Sequence, residues 1–195
     1  MKTTKLFLAG LLTAAMIGCS SKPEPAPEPT QETTPEPTQE TTPAPSQPAA
    51  TEPTWTDGLA EGYLGTVMPT AWFEFTVTNA KLVKEFEGHA APEGYDILVT
   101  DVTLKNTYGQ TIPMYNSDFQ AQWFDDADDA YALPFFVRIE GQEIEEEYGL
   151  GINEKASAVY AFEVPEGNRD FSLSFQEYYA NGDYGDLFFV YFTIK

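Results

Sequence analysis

An all-β fold is predicted for the chain beyond Trp55, and three observations predict it. Aromatic and β-branched residues recur in short runs, the runs alternate apolar with polar residues at a period of two, and clusters of Gly, Pro, Asn and Asp separate them. The expected architecture is an antiparallel β-sandwich of about seven to eight strands over 55–195. A Pro-rich tether over 19–54 and an apolar leader over 1–18 precede it. One folded domain is expected, since the first quarter of the chain lacks the composition to form a core.

In the leader, MKTTKLFLAGLLTAAMIG, Lys2 and Lys5 stand before an apolar run from Leu6 to Ile17 that is too short to span a bilayer. This is the pattern of a secretory signal peptide. Met16-Ile17-Gly18-Cys19, followed by Ser20-Ser21, resembles the lipobox of bacterial lipoproteins. The resemblance implies a thioether lipid on Cys19, cleavage after Gly18, acylation of the new N-terminus and a place on the extracytoplasmic face of the cell membrane. The other reading is a plain secretory signal with a coincident cysteine. Cys19 is the chain's one cysteine, so no disulfide is expected in the folded part. A single acyl chain holds marginally, and stable anchoring calls for the several chains of a mature lipoprotein.

From Ser20 to about Thr54 the chain is built of Pro, Glu, Thr, Gln, Ala and Ser, with no large apolar residue to offset the entropy of ordering. A disordered spacer is expected. EPTQETTP occurs in tandem at 28–35 and 36–43, a repeat without a hydrophobic face and so not a solenoid unit. Stiffened toward polyproline II at roughly 3.1 Å per residue, the tether would reach on the order of 100 Å. Its Thr residues are candidate O-glycosylation positions, against the simpler reading of a bare spacer.

The strands follow in order. Over 72–86, Phe73, Phe75 and Val77 alternate with Glu74, Thr76 and Thr78, which buries one face and wets the other. A loop at 88–94, containing His89, leads to 95–106, where Leu98, Val102 and Leu104 share one face and Ile97 and Val99 the other. Two-sided apolarity of that kind suggests a central strand. Asn106-Thr107-Tyr108-Gly109 reads as a turn, and 119–124 as a strand with Phe119, Ala121 and Trp123 on one side. Further strands are expected at 131–139 and at 155–164, the latter with Ala158, Tyr160, Phe162 and Val164 aligned. Pro165-Glu166-Gly167-Asn168 turns the chain into the alternating Phe171, Leu173 and Phe175. The last run, 187–194, is so apolar that it is expected in the middle of a sheet and not at an edge.

The segments 95–107, Asn116-Ser117-Asp118-Phe119 and 159–165 (VYAFEVP) resemble the bacterial domain-of-unknown-function 4352 group. The resemblance implies a telokin-like, immunoglobulin-type sandwich carried on an extracytoplasmic lipoprotein. Its carriers are packing and turn positions, and it transfers no active-site residue. Two features depart from the group: an acidic insert near Asp125 and an aromatic loop near Tyr178.

Charge excludes some partners. The net charge of −21 becomes −23 once Lys2 and Lys5 leave with the leader, so nucleic acid is not an expected partner and an anionic bilayer repels the domain. Membrane attachment is expected through the lipid alone. Asp125, Asp126, Asp128 and Asp129 put four carboxylates in one turn, where oxygens could gather around Ca²⁺, although the spacing is not that of an EF-hand. The plainer reading is a solvated turn, with no cofactor at all. Glu143, Glu145, Glu146 and Glu147 read as a charged loop. Tyr178, Tyr179, Asn181, Asp183 and Tyr184 combine flat apolar rings with amide and carboxylate groups, as a surface for sugar or peptide would. The alternative is a hairpin whose tyrosines lie over the core edge. His89, the one histidine, stands near no nucleophile in any motif and supports neither a triad nor a zinc site.

No catalytic residues are singled out, and a non-enzymatic protein is expected. An interaction module contacting an envelope protein, a glycan or a small ligand is favoured over a structural accessory of an envelope complex. An envelope hydrolase, the third class, would need a cleft of convergent polar groups.

Overall fold

The computed structural model describes residues 52–124 and 130–195, and among these there is no helix. Asp57 and Gly58 both take positive φ, 44° and 79°, which matches the twist of a two-residue hairpin joining β1 (Thr54–Thr56) to β2 (Leu59–Tyr63). β3 (Met68–Pro69) precedes the long β4 (Phe73–Val83). Glu87-Gly88 repeats the left-handed pair between β5 (Glu85–Phe86) and β6 (His89–Ala90). β7 (Tyr95–Asn106), β8 (Ile112–Tyr115), β9 (Phe119–Trp123) and β10 (Tyr131–Ala132) follow. Glu140-Gly141 makes the third such turn, between β11 (Phe136–Ile139) and β12 (Gln142–Glu143). β13 (Glu147–Leu150), β14 (Lys155–Pro165), β15 (Asp170–Tyr178) and β16 (Tyr184–Thr193) complete the described fold.

Two sheets result. The first has the order β1-β2-β16-β15-β9-β10 and the second β12-β11-β14-β7-β4-β3, while β8 and β13 form a separate ribbon. Antiparallel pairing prevails, but β2 runs parallel to β16, with Leu59 beside Leu187 and Tyr63 beside Tyr191. The inner faces meet in an aromatic core: Phe73 and Phe75 of β4 lie edge-on to Phe119 of β9, with Phe175 of β15 and Phe188 of β16 close by. Edge-to-face pairs of this kind add about 0.5–1.5 kcal/mol each beyond area burial. Ile112, Met114 and Leu150 of the ribbon close one side of that core. On the outer face of the second sheet, Ile97, Val99 and Ala161 form a satellite cluster roofed by Phe86, whose ring sits 5.3 Å from that of Phe136.

The all-β sandwich expected from the alternation is the fold observed. β7 is central between β4 and β14, and β16 is central between β2 and β15, as their apolar faces require. Several details differ from the sequence expectations: β8, β12 and β13 form where no strand is expected, with Glu143 in β12 and Glu147 in β13 and not in a loop. The run 131–139 is two strands in different sheets, because Pro134 between them lacks a ladder donor and the chain passes from one sheet to the other there. The run 72–86 carries a register shift between Val77 and Asn79 and ends at Val83, before the separate hairpin of β5 and β6. That hairpin places β6 inside the expected loop 88–94. Three strands precede Trp72 where none was assigned; two of them, β1 and β2, join through a Gly-containing turn that in hindsight marks a hairpin.

Candidate functional site

Turns and strand ends from four segments converge beside the ribbon. Asn106, at the end of β7, is fully buried and bonded on every side of its amide. Its Nδ2 donates to the carbonyls of Gln110 (2.8 Å) and Leu150 (2.9 Å), and its Oδ1 accepts from Tyr108 N–H (2.8 Å). One amide thus shapes the loop that carries Tyr108 and ties it to β13. Thr107 N–H adds a bond to the Trp72 carbonyl at 3.0 Å.

The second segment is the turn after β8. Asp118 Oδ2 accepts from Tyr115 N–H at 2.7 Å, and Asp118 N–H returns a bond to the Tyr115 carbonyl at 3.2 Å, so the two residues close the four-residue turn reciprocally. Burial pushes the Asp118 carboxyl from 3.8 up to about 6, against the opposing pull of the Tyr115 N–H. The acidic loop lies alongside: Asn116 donates from its backbone to the Glu146 carbonyl (3.0 Å) and from its side chain to the Glu145 carbonyl, and Glu147 pairs with Tyr115 across the ribbon.

The third and fourth segments are held by Glu177, which is 3% exposed. Its carboxylate accepts from Ala71 N–H (2.6 Å), Tyr179 O–H (3.0 Å) and Asp186 N–H (3.1 Å), locking the β15–β16 hairpin to the turn before β4. A Cβ on Gly185 would drive into Glu177 and the Tyr179 ring, so the hairpin can pass here only as glycine. Tyr179 packs against Trp72 at 5.2 Å.

Between these segments lies a cleft of about 390 Å³ lined by Trp72, Tyr108, Tyr115, Asp118 and Tyr178, with Phe73, Ile112 and Phe175 of the core beneath. Thr111 and Pro113 complete its wall. Among the described residues, Asp118 is the one charged residue of the lining, and no lysine or arginine lines it.

Of the loop residues singled out from sequence, Tyr178 reaches this cleft and is 61% exposed, with the ring of Tyr184, 75% exposed, at 5.4 Å. Tyr179 turns to Glu177 and Trp72. Asn181 and Asp183 are bonded to each other, Nδ2 to Oδ2 at 2.7 Å and N–H to Oδ1 at 3.2 Å, and shape the hairpin tip. Asp125, Asp126, Asp128 and Asp129 lie outside the described residues, as does Cys19. His89 Nε2 stands 2.7 Å from Glu163 with its ring over Phe135, on the second sheet. Trp72, Tyr108, Tyr115 and Asp118 went unassigned as site residues, although Tyr108 and Tyr115 each sit beside a turn signal where a core role is out of reach.

A shallower hollow of about 280 Å³ marks the outer face of the first sheet, where Tyr191 lies near Phe189, Tyr63 and Phe124 at 5.8, 6.3 and 6.0 Å. Tyr191 donates to Glu61 at 2.9 Å; burial, aided by that bond, lifts its pKa to about 12.

No family model and no curated protein matches the chain. Solved structures similar to it include a Bacillus subtilis protein provisionally described as a lipoprotein, ycdA, at 11% identity and a TM-score of 0.49. That match covers 65% of this chain and 38% of ycdA, so the chain spans well under half of that protein's length. An uncharacterised β-sandwich protein of Clostridium difficile is 14% identical, with 77% of this chain and all of that one covered and a TM-score of 0.47. The yjhA protein of Bacillus subtilis is 16% identical over 66% of this chain and 99% of its own, also with a TM-score of 0.47.

Proposed function

We propose that the chain is a lipid-anchored, extracytoplasmic β-sandwich module that holds a ligand in the aromatic cleft and performs no chemistry on it. The convergence of Trp72, Tyr108, Tyr115 and Tyr178 on one 390 Å³ space carries this reading. Four rings from four separate segments are held there by buried hydrogen bonds of Asn106 and Glu177, a preformed arrangement of the size small-molecule sites have. Among the described residues the lining offers one carboxylate, one threonine and the tyrosine hydroxyls, without the paired acids or nucleophile and base that bond cleavage needs. Anchoring rests on the lipobox resemblance at Cys19, and the module's membership of the 4352 group on the residues of β7, β14 and the Tyr115 turn. The Pro-rich segment supplies the reach from the membrane.

Two measurements test the reading. Cys19→Ala should move the protein from the membrane fraction to the soluble one, and retention in the membrane would remove the anchor. Aromatic NMR of the full Cys19→Ala chain with a panel of cell-envelope fragments should shift Trp72, Tyr108, Tyr115 and Tyr178; shifts mapped elsewhere, or none, would remove the cleft. The aromatic hollow around Tyr191 favours a second reading, an accessory that docks on an envelope complex through the first sheet, which crosslinking through Tyr63 on intact cells would reveal.

A further inference from the structure

We infer that the cleft takes an alkylated ammonium group, an inference that rests on the cleft being the binding site. Trp72, Tyr108, Tyr115 and Tyr178 line it, and an aromatic face carries negative potential that attracts a cation within about 6 Å of the ring centroid. Trp72, the best such ring, and the three tyrosines share the lining with a single carboxylate, Asp118. Asp118 has no ion-pair partner among the described residues, whereas Lys84, Lys105 and Arg138 each hold a carboxylate elsewhere, at 2.8, 2.9 and 2.7 Å. A cation in the cleft would be the charge that Asp118 lacks.

Competing chemistries fit less well. Anions meet Asp118, the adjacent Glu145, Glu146 and Glu147, and a chain of net charge −21. A sugar ring could meet the tyrosine hydroxyls, Thr111 and Asp118, but it would lay further hydroxyls on an apolar floor of Phe73, Ile112 and Phe175 and leave Asp118 without a counter-charge. A primary ammonium would bring three N–H groups to that floor, where a buried donor without a partner is costly. N-alkyl groups pack on the rings and leave the positive charge to Asp118 and the π faces. The occupant is therefore an organic cation such as a trimethylammonium, free in solution or carried on a lipid headgroup.

The probe is choline against its uncharged isostere 3,3-dimethyl-1-butanol, titrated calorimetrically into the full Cys19→Ala chain with aromatic NMR to place the ligand. Choline should bind and shift Trp72 and Tyr178, with the isostere at least about tenfold weaker, and Asp118→Asn should narrow that difference severalfold while the rings keep the remainder. Tyr178→Ala, at an exposed position where folding is not at stake, should weaken choline alone. Phosphatidylcholine vesicles that compete with choline would assign the headgroup, and vesicles that do not would assign the free solute; both support the inference. Equal binding of choline and isostere overturns it and leaves the cleft standing, as does cleft binding by envelope fragments without choline. If no compound moves the cleft resonances, both readings fall.

Discussion

Asp118 concentrates the cost of the cleft in one side chain. Because burial raises its pKa from 3.8 to about 6, the folded chain holds a proton in that interval that the unfolded chain has released. Its ionisation therefore opposes folding: the penalty is absent below about pH 4, grows as pH rises and is complete above about 6. Asp118→Asn keeps an acceptor for Tyr115 N–H and removes the charge, so the variant should be more stable than the parent by about 2 kcal/mol at pH 8. The gain should vanish toward pH 4, as paired urea titrations at the two pH values would read. A gain that persisted at pH 4 would assign the effect to packing.

At the scale of elements, the β15–β16 hairpin depends on a three-bond carboxylate and a glycine that makes room for it. Glu177→Ala would strand the amides of Ala71 and Asp186, at a cost of about 2–4 kcal/mol, and Gly185→Ala would displace the same carboxylate at a comparable cost. Since both changes break one arrangement, the double variant should lose clearly less than the two singles together, measured by chemical denaturation; full additivity would mean that Gly185 acts elsewhere. Elements such as β7 and β14 were legible in the sequence because burial on one or both faces writes itself into a period of two. β10 and β11 were not, since an apolar run crossing from sheet to sheet looks like one strand until Pro134 is weighed. Tyr178 was legible as an exposed ring in a loop. Its neighbours were not, because Tyr108 and Tyr115 come together through β8 pairing with β13, whose first residue is 32 positions beyond Tyr115 in the chain. Asp118 sat within a segment read for its family resemblance alone.

For the whole molecule, acid excess governs stability. The basic residues Lys84, Lys105, Arg138 and Arg169 and the imidazole of His89 pair on the strands and turns of the second sheet, while most carboxylates among the described residues have no cationic partner. Screening therefore relieves more repulsion than it removes attraction, and the melting temperature should rise by several degrees between about 10 mM and 0.5 M NaCl at pH 7, by circular dichroism. A fall would show that the pairs around Asp96 outweigh the excess. The parallel seam between β2 and β16 gives the domain a mechanical character as well. Tension drawn between residue 54 and Lys195 first peels the three-residue β1 from its open end. It then pulls Leu59 and Thr193 apart along two strands that point the same way, so the bonds beside Leu187 to Tyr191 bear the load together, in shear, and do not unzip one at a time. A chain held at one end and gripped at the other would yield on the order of 20 Å of slack, the length of the freed β1 and its turn, and then stand firm.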